Sequence, residues 1–270
     1  MRLRELERAI MDEQMLEMGF KRYKGEWFKI VDGKILLRCG CYPTSHAEIG
    51  YRFQPLFSPF YYKRPELTTP GISYDITYSL ERVLAPEGRL PTLISPQVQK
   101  GSDGYDYVVR NGKNALGLIC KAFSEISTVE DLCSAYVRFF PLLGQPETST
   151  VVDRVPQGYI HTLLYLHKYD ECLAHLRKYQ ELVQKDVQAR ISRYPQEADS
   201  IMRGGERKCN SYNNYIKLLE RRDEVEIGEL LFRCCAMTIS LLRALGIEEV
   251  DSFRYDFIKE AFPQTLLWLY

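Results

Sequence analysis

The chain has 270 residues, of which 45% are hydrophobic and 27% charged, and its formal net charge at pH 7 is zero. This composition is typical of a folded protein and excludes a disordered chain. The net charge is +2 in residues 1–110 and −2 in residues 111–270. Neither half has the positive field that binding to a phosphate backbone requires. We therefore do not expect a nucleic-acid partner, whereas a net charge near zero favours self-association or a protein partner.

The sequence shows no membrane or secretory segment. Residues 230–245 form the longest apolar stretch, which Arg233 and Arg243 interrupt, so it is too short and too charged to span a bilayer. The first residues mix charges and lack the apolar core of a secretory signal. The eight cysteines do not form the framework of a small disulfide-rich domain. We therefore expect a cytosolic protein with reduced thiols and no membrane association.

The N-terminal region predicts a helix followed by a hairpin. The first helix is expected over residues 3–18, with Gly19 in the left-handed position that follows a helix C-terminus. Strands over 26–31 and 34–42 flank Asp32-Gly33, a dipeptide that a two-residue type I′ turn favours.

Apolar and polar residues alternate in the next segments. Residues 47–54 and 72–80 alternate strictly, and the second hairpin strand places Leu37 on one face and Arg38 on the other. Such alternation predicts an antiparallel sheet with one buried face and one face in water. The first helix is expected to cover the apolar face. A further short strand is predicted over residues 105–110, ending at an Asn111-Gly112 turn.

From about residue 114 the apolar residues recur every three or four positions, which predicts helices. The motif Ser127-Thr128-Val129-Glu130 predicts a capping box that opens one of them. The expected helices cover residues 115–123, 127–140, 157–167, 169–194, 223–246 and 252–262, and a polar loop is expected from Gly204-Gly205 to residue 214. The predicted fold is α+β. An N-terminal helix lies on a mostly antiparallel sheet in residues 1–112, and an all-helical domain of residues 113–270 packs against it.

The opening segment resembles a group of bacterial proteins. A first helix that ends in Gly19-Phe20-Lys21, followed by Trp27-Phe28 and a strand meander, is similar to bacterial domains of unknown function with this layout. The resemblance covers about the first eighty residues. It implies a bacterial α+β domain and brings no catalytic residues to transfer.

Residues 166–176 resemble the segment between the two helices of a tetratricopeptide unit. Tyr169, Cys172 and Leu176 stand at its packing positions, and His167 stands where the family has glycine. The sequence has no second copy at a period of about 34 residues. Because one repeat cannot bury its own hydrophobic face, the resemblance implies a stand-alone helical hairpin.

Three groups of cysteine and histidine residues are candidate chemical sites. Cys39-Gly40-Cys41 with His46 is spaced too tightly for structural zinc and lacks a fourth ligand, so we interpret the cysteines as buried apolar residues. His161 and His175 on one straight helix would stand ~21 Å apart, too far for one metal. Cys172 and His175 could form a thiolate–imidazole pair, but the sequence shows no acid to orient the imidazole. No metal, cofactor or catalytic set is predicted.

Two surfaces are predicted to bind a partner. Residues 55–71 contain four prolines and leave the sheet, and their aromatic rings are candidate interface anchors unless they pack over the sheet edge. These rings belong to Phe57, Phe60, Tyr61 and Tyr62. Residues 203–222 form the one locally basic segment, in which arginines could grip phosphate and tyrosines could stack on bases. Its candidate binding residues are Arg207, Lys208, Tyr212 and Tyr215.

These observations predict a non-enzymatic protein that binds another protein, of an inhibitor or immunity type. The alternative is an enzyme or small-molecule binder with a cleft between the sheet and the helical half, where His46, Arg52 and Asp75 would converge. Nucleic-acid binding through residues 203–222 is the third hypothesis.

Overall fold

The structure, a computed structural model, describes residues 3–23, 26–42, 48–58, 78–79, 101–139, 156–247 and 255–265. The chain divides into two compact units, each made of segments that are distant in sequence. Unit 1 contains residues 1–56, 74–132 and 241–252, and unit 2 contains residues 57–73, 133–240 and 253–270.

The first helix of unit 1 ends as the sequence predicts. Helix α1 spans Leu3–Glu17. Gly19 has a φ of +76°, and the Phe20 amide donates to the Met15 carbonyl at 2.9 Å, as in a Schellman motif. This motif turns Phe20 into the core, where its ring stacks on Phe123 with the centroids 5.4 Å apart.

The sheet of unit 1 is an antiparallel meander whose strands lie side by side in chain order. The strands are β1 (Lys21–Tyr23), β2 (Glu26–Val31), β3 (Ile35–Tyr42), β4 (Glu48–Pro55) and β5 (Tyr78–Ser79). Residues 32–34 join β2 to β3, one residue more than the predicted two-residue turn, and Asp32 and Gly33 have φ angles of +49° and +60°. Positive φ at both positions is the signature of a type I′ turn, so the predicted hairpin is confirmed.

Both faces of strand β3 are buried, although the alternation predicted that one would face water. Leu37 is buried as expected, but Leu36 and Arg38 on the other face are also buried, and Arg38 is only 3% exposed. Arg38 forms an ion pair with Glu26 of β2. Its guanidinium also lies 5.3 Å from the centroid of the Phe28 ring. These contacts offset part of the cost of removing a charge from water.

The predicted strand over residues 105–110 is wrong, because these residues belong to helix α2, which spans Asp103–Ser124. The Ser102 hydroxyl caps the helix by accepting from the Tyr105 amide at 3.2 Å, and Asp106 lies in the first turn, where the helix dipole favours a carboxylate. A short apolar run does not distinguish a strand from a helix by period alone. The predicted domain boundary at residues 112 and 113 falls inside α2, and unit 1 continues to residue 132.

The expected Asn111-Gly112 turn is therefore the middle of a helix, and Gly112 has another role there. A Cβ at Gly112 would lie 2.6 Å from Cδ1 of Ile10 on α1. A Cβ at Gly117, in the same helix, would meet nothing within 4 Å. Gly112 thus allows α1 and α2 to approach closely, whereas Gly117 makes no such contact.

We expect opposite effects from alanine at these two glycines. Gly117→Ala should raise the free energy of unfolding by about 0.5–1 kcal/mol, because alanine favours the helix and meets no neighbour. Gly112→Ala gains the same propensity but must displace Ile10, and a net loss of about 1–3 kcal/mol is expected. Urea unfolding of the two variants measures both values. Equal stabilisation by both would contradict the close contact between α1 and α2.

The remaining helices continue the chain from residue 129. They are α3 (Val129–Phe139), α4 (Gln157–Tyr165), α5 (Tyr169–Arg193), a 3₁₀ turn (Pro195–Glu197), α6 (Ala198–Asn210), α7 (Asn213–Arg221), α8 (Glu224–Ala244) and α9 (Asp256–Ala261). Every described strand precedes residue 80, and the described residues from 103 onwards form helices and the turns between them. The α+β fold class is confirmed. No helix in the described part of the chain is both long and apolar enough to cross a membrane.

Two local predictions in this region need correction. The capping box lies one residue later than predicted, since the Thr128 hydroxyl accepts from the Asp131 amide at 3.1 Å and the Asp131 carboxylate accepts from the Thr128 amide at 2.9 Å. Because the cap is Thr128 and not Ser127, the third residue after it is Asp131, which takes the role expected of Glu130. The loop expected from Gly204-Gly205 to residue 214 is wrong, because α6 runs through both glycines and α7 begins at Asn213.

The helical hairpin expected at residues 166–176 is present in unit 2. Helices α4 and α5 are joined by residues 166–168, and Tyr169, Cys172 and Leu176 are buried. His167 has a φ of +54°, and the Lys168 amide donates to the Leu163 carbonyl at 2.9 Å. A left-handed residue at this point explains why the resemblance implies glycine at position 167.

Candidate functional site

The C-terminal part of α5 and the adjoining helix α6 contain few buried residues. Val183 is the last buried residue of α5, ten residues before that helix ends at Arg193. On α6 only Ile201 and Gly205 are buried. The part of α5 after Val183 and the facing part of α6 therefore place most of their side chains in solvent.

The two consecutive glycines of α6 have different surroundings. A Cβ at Gly205 would lie 2.4 Å from Cγ2 of Val187, so glycine is needed for α6 to approach α5 at this point. A Cβ at Gly204 would meet nothing within 4 Å. Glycine is a poor helix former, but here the pair allows one close contact and leaves open space beside it.

The open space is a groove of about 120 Å³ between the two helices, which we call the α5–α6 groove. Its buried lining is apolar and its accessible lining is mostly polar and charged. The lining residues are Val183, Asp186, Val187, Arg190, Glu197, Ser200, Ile201, Gly204, Gly205 and Lys208. Pockets for small-molecule ligands usually have volumes of about 300–1,000 Å³. The groove has room for a side chain but not for a cofactor.

A wider depression of about 360 Å³ adjoins the groove, since Ser200 lines both. We call it the α6 shelf; its described lining residues are Ser200, Arg203, Glu206, Arg207 and Asn210. All of them lie on α6 and are exposed. The shelf is therefore an open surface beside the groove, and its described lining residues are of polar and charged types.

The charges around the groove and the shelf are unevenly paired. Arg190 lies 4.0 Å from Asp186 on α5. Arg203, Arg207 and Lys208 have no carboxylate within 4.0 Å among the residues that the structure describes. The Arg207 Nε donates to the Arg203 carbonyl at 3.3 Å. None of these three cations on α6 has a described carboxylate partner.

The predicted basic segment is divided by the fold. Arg207 lines the shelf and Lys208 lines the groove, but the two tyrosines of the segment have internal roles. Tyr212 is only 7% exposed and packs edge-on against Tyr179, with the ring centroids 5.2 Å apart. The Tyr215 hydroxyl is bound inside unit 2, as described next. Tyr212 is therefore not available for base stacking, and neither tyrosine lines the groove or the described part of the shelf.

His161 is fully buried at the centre of a hydrogen-bond chain in unit 2. Its Nδ1 lies 2.8 Å from the Phe57 carbonyl and its Nε2 lies 2.8 Å from the Tyr215 hydroxyl. Because a carbonyl only accepts, Nδ1 carries the proton and Nε2 accepts from Tyr215. The Gln157 amide donates to the same hydroxyl at 2.7 Å. Burial lowers the pKa of His161 to about 4, so the ring is neutral at pH 7.

We expect this histidine to make stability depend on pH. Its pKa is about 4 in the folded chain and 6.5 in the unfolded chain, so the unfolded chain binds more protons between these values. The free energy of unfolding should therefore fall by up to about 3 kcal/mol as the pH drops from 7 to 4. His161→Gln cannot titrate, and its stability should fall less over the same range. Urea unfolding of both proteins at pH 7, 5.5 and 4 measures the difference, and parallel losses would contradict this role.

Cys172 and His175, which the sequence allowed as a thiolate–imidazole pair, have internal packing and hydrogen-bonding roles instead. Cys172 is 1% exposed, and burial raises the pKa of its thiol to about 12, so it is not a ready thiolate. His175 Nε2 lies 3.1 Å from the Tyr159 hydroxyl. That hydroxyl also donates to Glu171 at 3.2 Å. Burial raises the pKa of Tyr159, which keeps the phenol protonated as a donor.

The other predicted site residues are described only in part. Phe57 is fully buried, and its ring stacks on Tyr165 with the centroids 4.6 Å apart, so it belongs to the core of unit 2. Arg52 lies on β4 opposite Arg38, and its side chain is outside the described part. Residues outside the described ranges are His46, Phe60, Tyr61, Tyr62 and Asp75.

The described side chains give no indication of metal chemistry. Cys39 is buried on β3, and the described cysteines are free thiols. Within the described ranges, no three residues among His, Cys, Asp and Glu lie close enough together to hold a metal ion.

A comparison of the chain with family models, curated proteins and solved structures finds no match. The function must therefore be inferred from the geometry of the chain itself. Among the described surfaces, the α5–α6 groove with its shelf combines an apolar recess and available charges.

Proposed function

We propose that this chain is a non-enzymatic, cytosolic protein-binding module, of an inhibitor or immunity type, that holds a segment of its partner in the α5–α6 groove. The observation that carries the proposal is the groove itself. It is open beside Gly204, it is apolar where it is buried, and its volume of about 120 Å³ suits one side chain.

The composition of the groove resembles that of a small protein interface. Interfaces have an apolar centre and a polar rim, and here Val183 and Ile201 are buried while Arg190 and Ser200 are exposed. Burial of one Val, Leu or Met side chain contributes about 1.5–3 kcal/mol. One such anchor would supply about a tenfold to hundredfold gain in affinity.

The groove is held in shape without a partner. The Gln180 side chain on α5 donates to the Cys209 carbonyl at 3.2 Å and to the Asn213 side chain at 3.0 Å. These bonds link α5 to the end of α6 and to the start of α7. A preformed site avoids the entropy cost of ordering helices during binding.

A tryptophan in the groove should block partner binding. Gly204→Trp introduces a large ring at a residue that lines the groove, and a Cβ at this position meets no atom within 4 Å. Met202→Trp is the matched control, because Met202 is 43% exposed on the same helix and does not line the groove. We expect Gly204→Trp to weaken binding by about tenfold or more and Met202→Trp by less than about twofold.

The partner is first identified with a photo-crosslinking residue at position 200 in the source cell. It is then purified, and its Kd for the wild type and both tryptophan variants is measured by titration calorimetry. Circular dichroism verifies that both variants are folded. Equal Kd values for the wild type and Gly204→Trp would show that the groove is not the binding site.

A further inference from the structure

We infer that the partner segment held in the α5–α6 groove is acidic, with an apolar side chain in the groove and carboxylates over the α6 shelf. This inference rests on the proposed function and specifies the chemistry of its ligand. It derives from the positions of charges around α6 relative to Gly204, where the groove is open.

Arg203 and Arg207 lie on the shelf side of α6, beside the groove, whereas Lys208 lines the groove itself. With 3.6 residues per turn, Arg207 lies about 60° around the helix from Gly204, and Arg203 lies about 100° away in the same direction. Ser200 lies between Gly204 and Arg207, at about 40°. A segment that leaves the groove over Ser200 therefore meets both arginines, which are exposed and one turn apart.

The carboxylates of this surface are less well placed to repel such a segment. Asp186 is close to Arg190 and is compensated by it. Glu206 also lines the shelf, but it lies about 160° from Gly204 around α6, beyond both arginines, and the two arginines outnumber it. Glu197 lines the groove and lies in the turn before α6, whereas Lys208 lies towards the other end of that helix. The shelf and the Lys208 end of the groove are therefore the positive part of the surface.

Arginine suits carboxylates because its planar guanidinium can donate two parallel hydrogen bonds to one carboxylate. Exposed ion pairs are individually weak, so the apolar anchor would supply most of the affinity. The arginines would select acidic partners, accelerate association and make binding sensitive to salt.

The same cations could contact the phosphates of a single-stranded nucleic acid. That ligand fits the surface less well, because Tyr212 is buried and neither Tyr212 nor Tyr215 lines the described part of the shelf beside the arginines, where a base would have to stack. The apolar recess also has no role in binding a phosphate backbone. We therefore favour an acidic protein segment and make nucleic acid an outcome of the test.

The test uses the full chain and a displayed library of random peptides of about 12 residues. Enriched peptides are synthesised, and their Kd values are measured by fluorescence anisotropy at low and high salt. We expect the enriched peptides to be net negative and to bind less tightly as salt rises. The charge-reversed variant Arg203→Glu/Arg207→Glu should weaken them by about tenfold or more.

The matched control is Lys185→Glu, which reverses a charge on an exposed position of α5 that does not line the groove. Its effect should stay below about twofold. Gly204→Trp is measured with the same peptides, so that the use of the groove and the preference for acidic ligands are read separately.

The other possible results would contradict the acidic-ligand inference, the proposed function or both. Enriched peptides that are neutral or basic but are blocked by Gly204→Trp would overturn the acidic-ligand inference and leave the proposed function standing. Peptides that bind Gly204→Trp as well as the wild type would overturn both. A selection that yields no acidic peptide whose binding is weakened by Gly204→Trp also overturns the inference. So does a single-stranded oligonucleotide that displaces the peptides and requires Arg203 and Arg207.

Discussion

The close approach of α6 to α5 at Gly205 is the contact on which the surface of the helical unit depends. A side chain there would collide with Val187, so the two helices meet at this level only because the residue is glycine. Gly204 then has no neighbour, and a recess remains between the helices. Gln180 fixes the far end of the same helix pair through Cys209 and Asn213. The groove therefore results from backbone proximity rather than from a special set of polar side chains.

Buried polar contacts decide which residues of the basic segment are available. Tyr215 bonds the neutral His161, and Tyr212 packs on Tyr179, so both tyrosines point into unit 2. Arg207 and Lys208 lie on the accessible side of α6. In the basic segment of residues 203–222, the tyrosines lie between cations along the sequence. The fold turns the tyrosines inward and leaves the cations accessible. That separation is the physical basis for favouring a protein ligand.

Local signals in the sequence predicted much of the fold correctly. Gly19 after α1 and Asp32-Gly33 between β2 and β3 specify their turns, because few residues adopt positive φ at low cost. The hairpin of α4 and α5 was also predicted, since apolar residues such as Leu176 recur with a helical period. The first half of α2 was missed because it contains a short apolar run, whereas its second half was predicted as the helix over residues 115–123. Helix α6 was missed because Gly204-Gly205 is typical of a loop.

The sequence by itself determined the α+β class, the first helix and hairpin, and the turns whose backbone angles need particular residues. The tertiary structure alone decided which faces are buried and where helices approach each other. Arg38 is buried because Glu26 and Phe28 of the neighbouring strand accommodate it, and Gly205 is needed because Val187 faces it from another helix. Periodicity reports the conformation of a segment, whereas burial and close approach depend on partners that are distant in sequence. The candidate binding groove belongs to this second class.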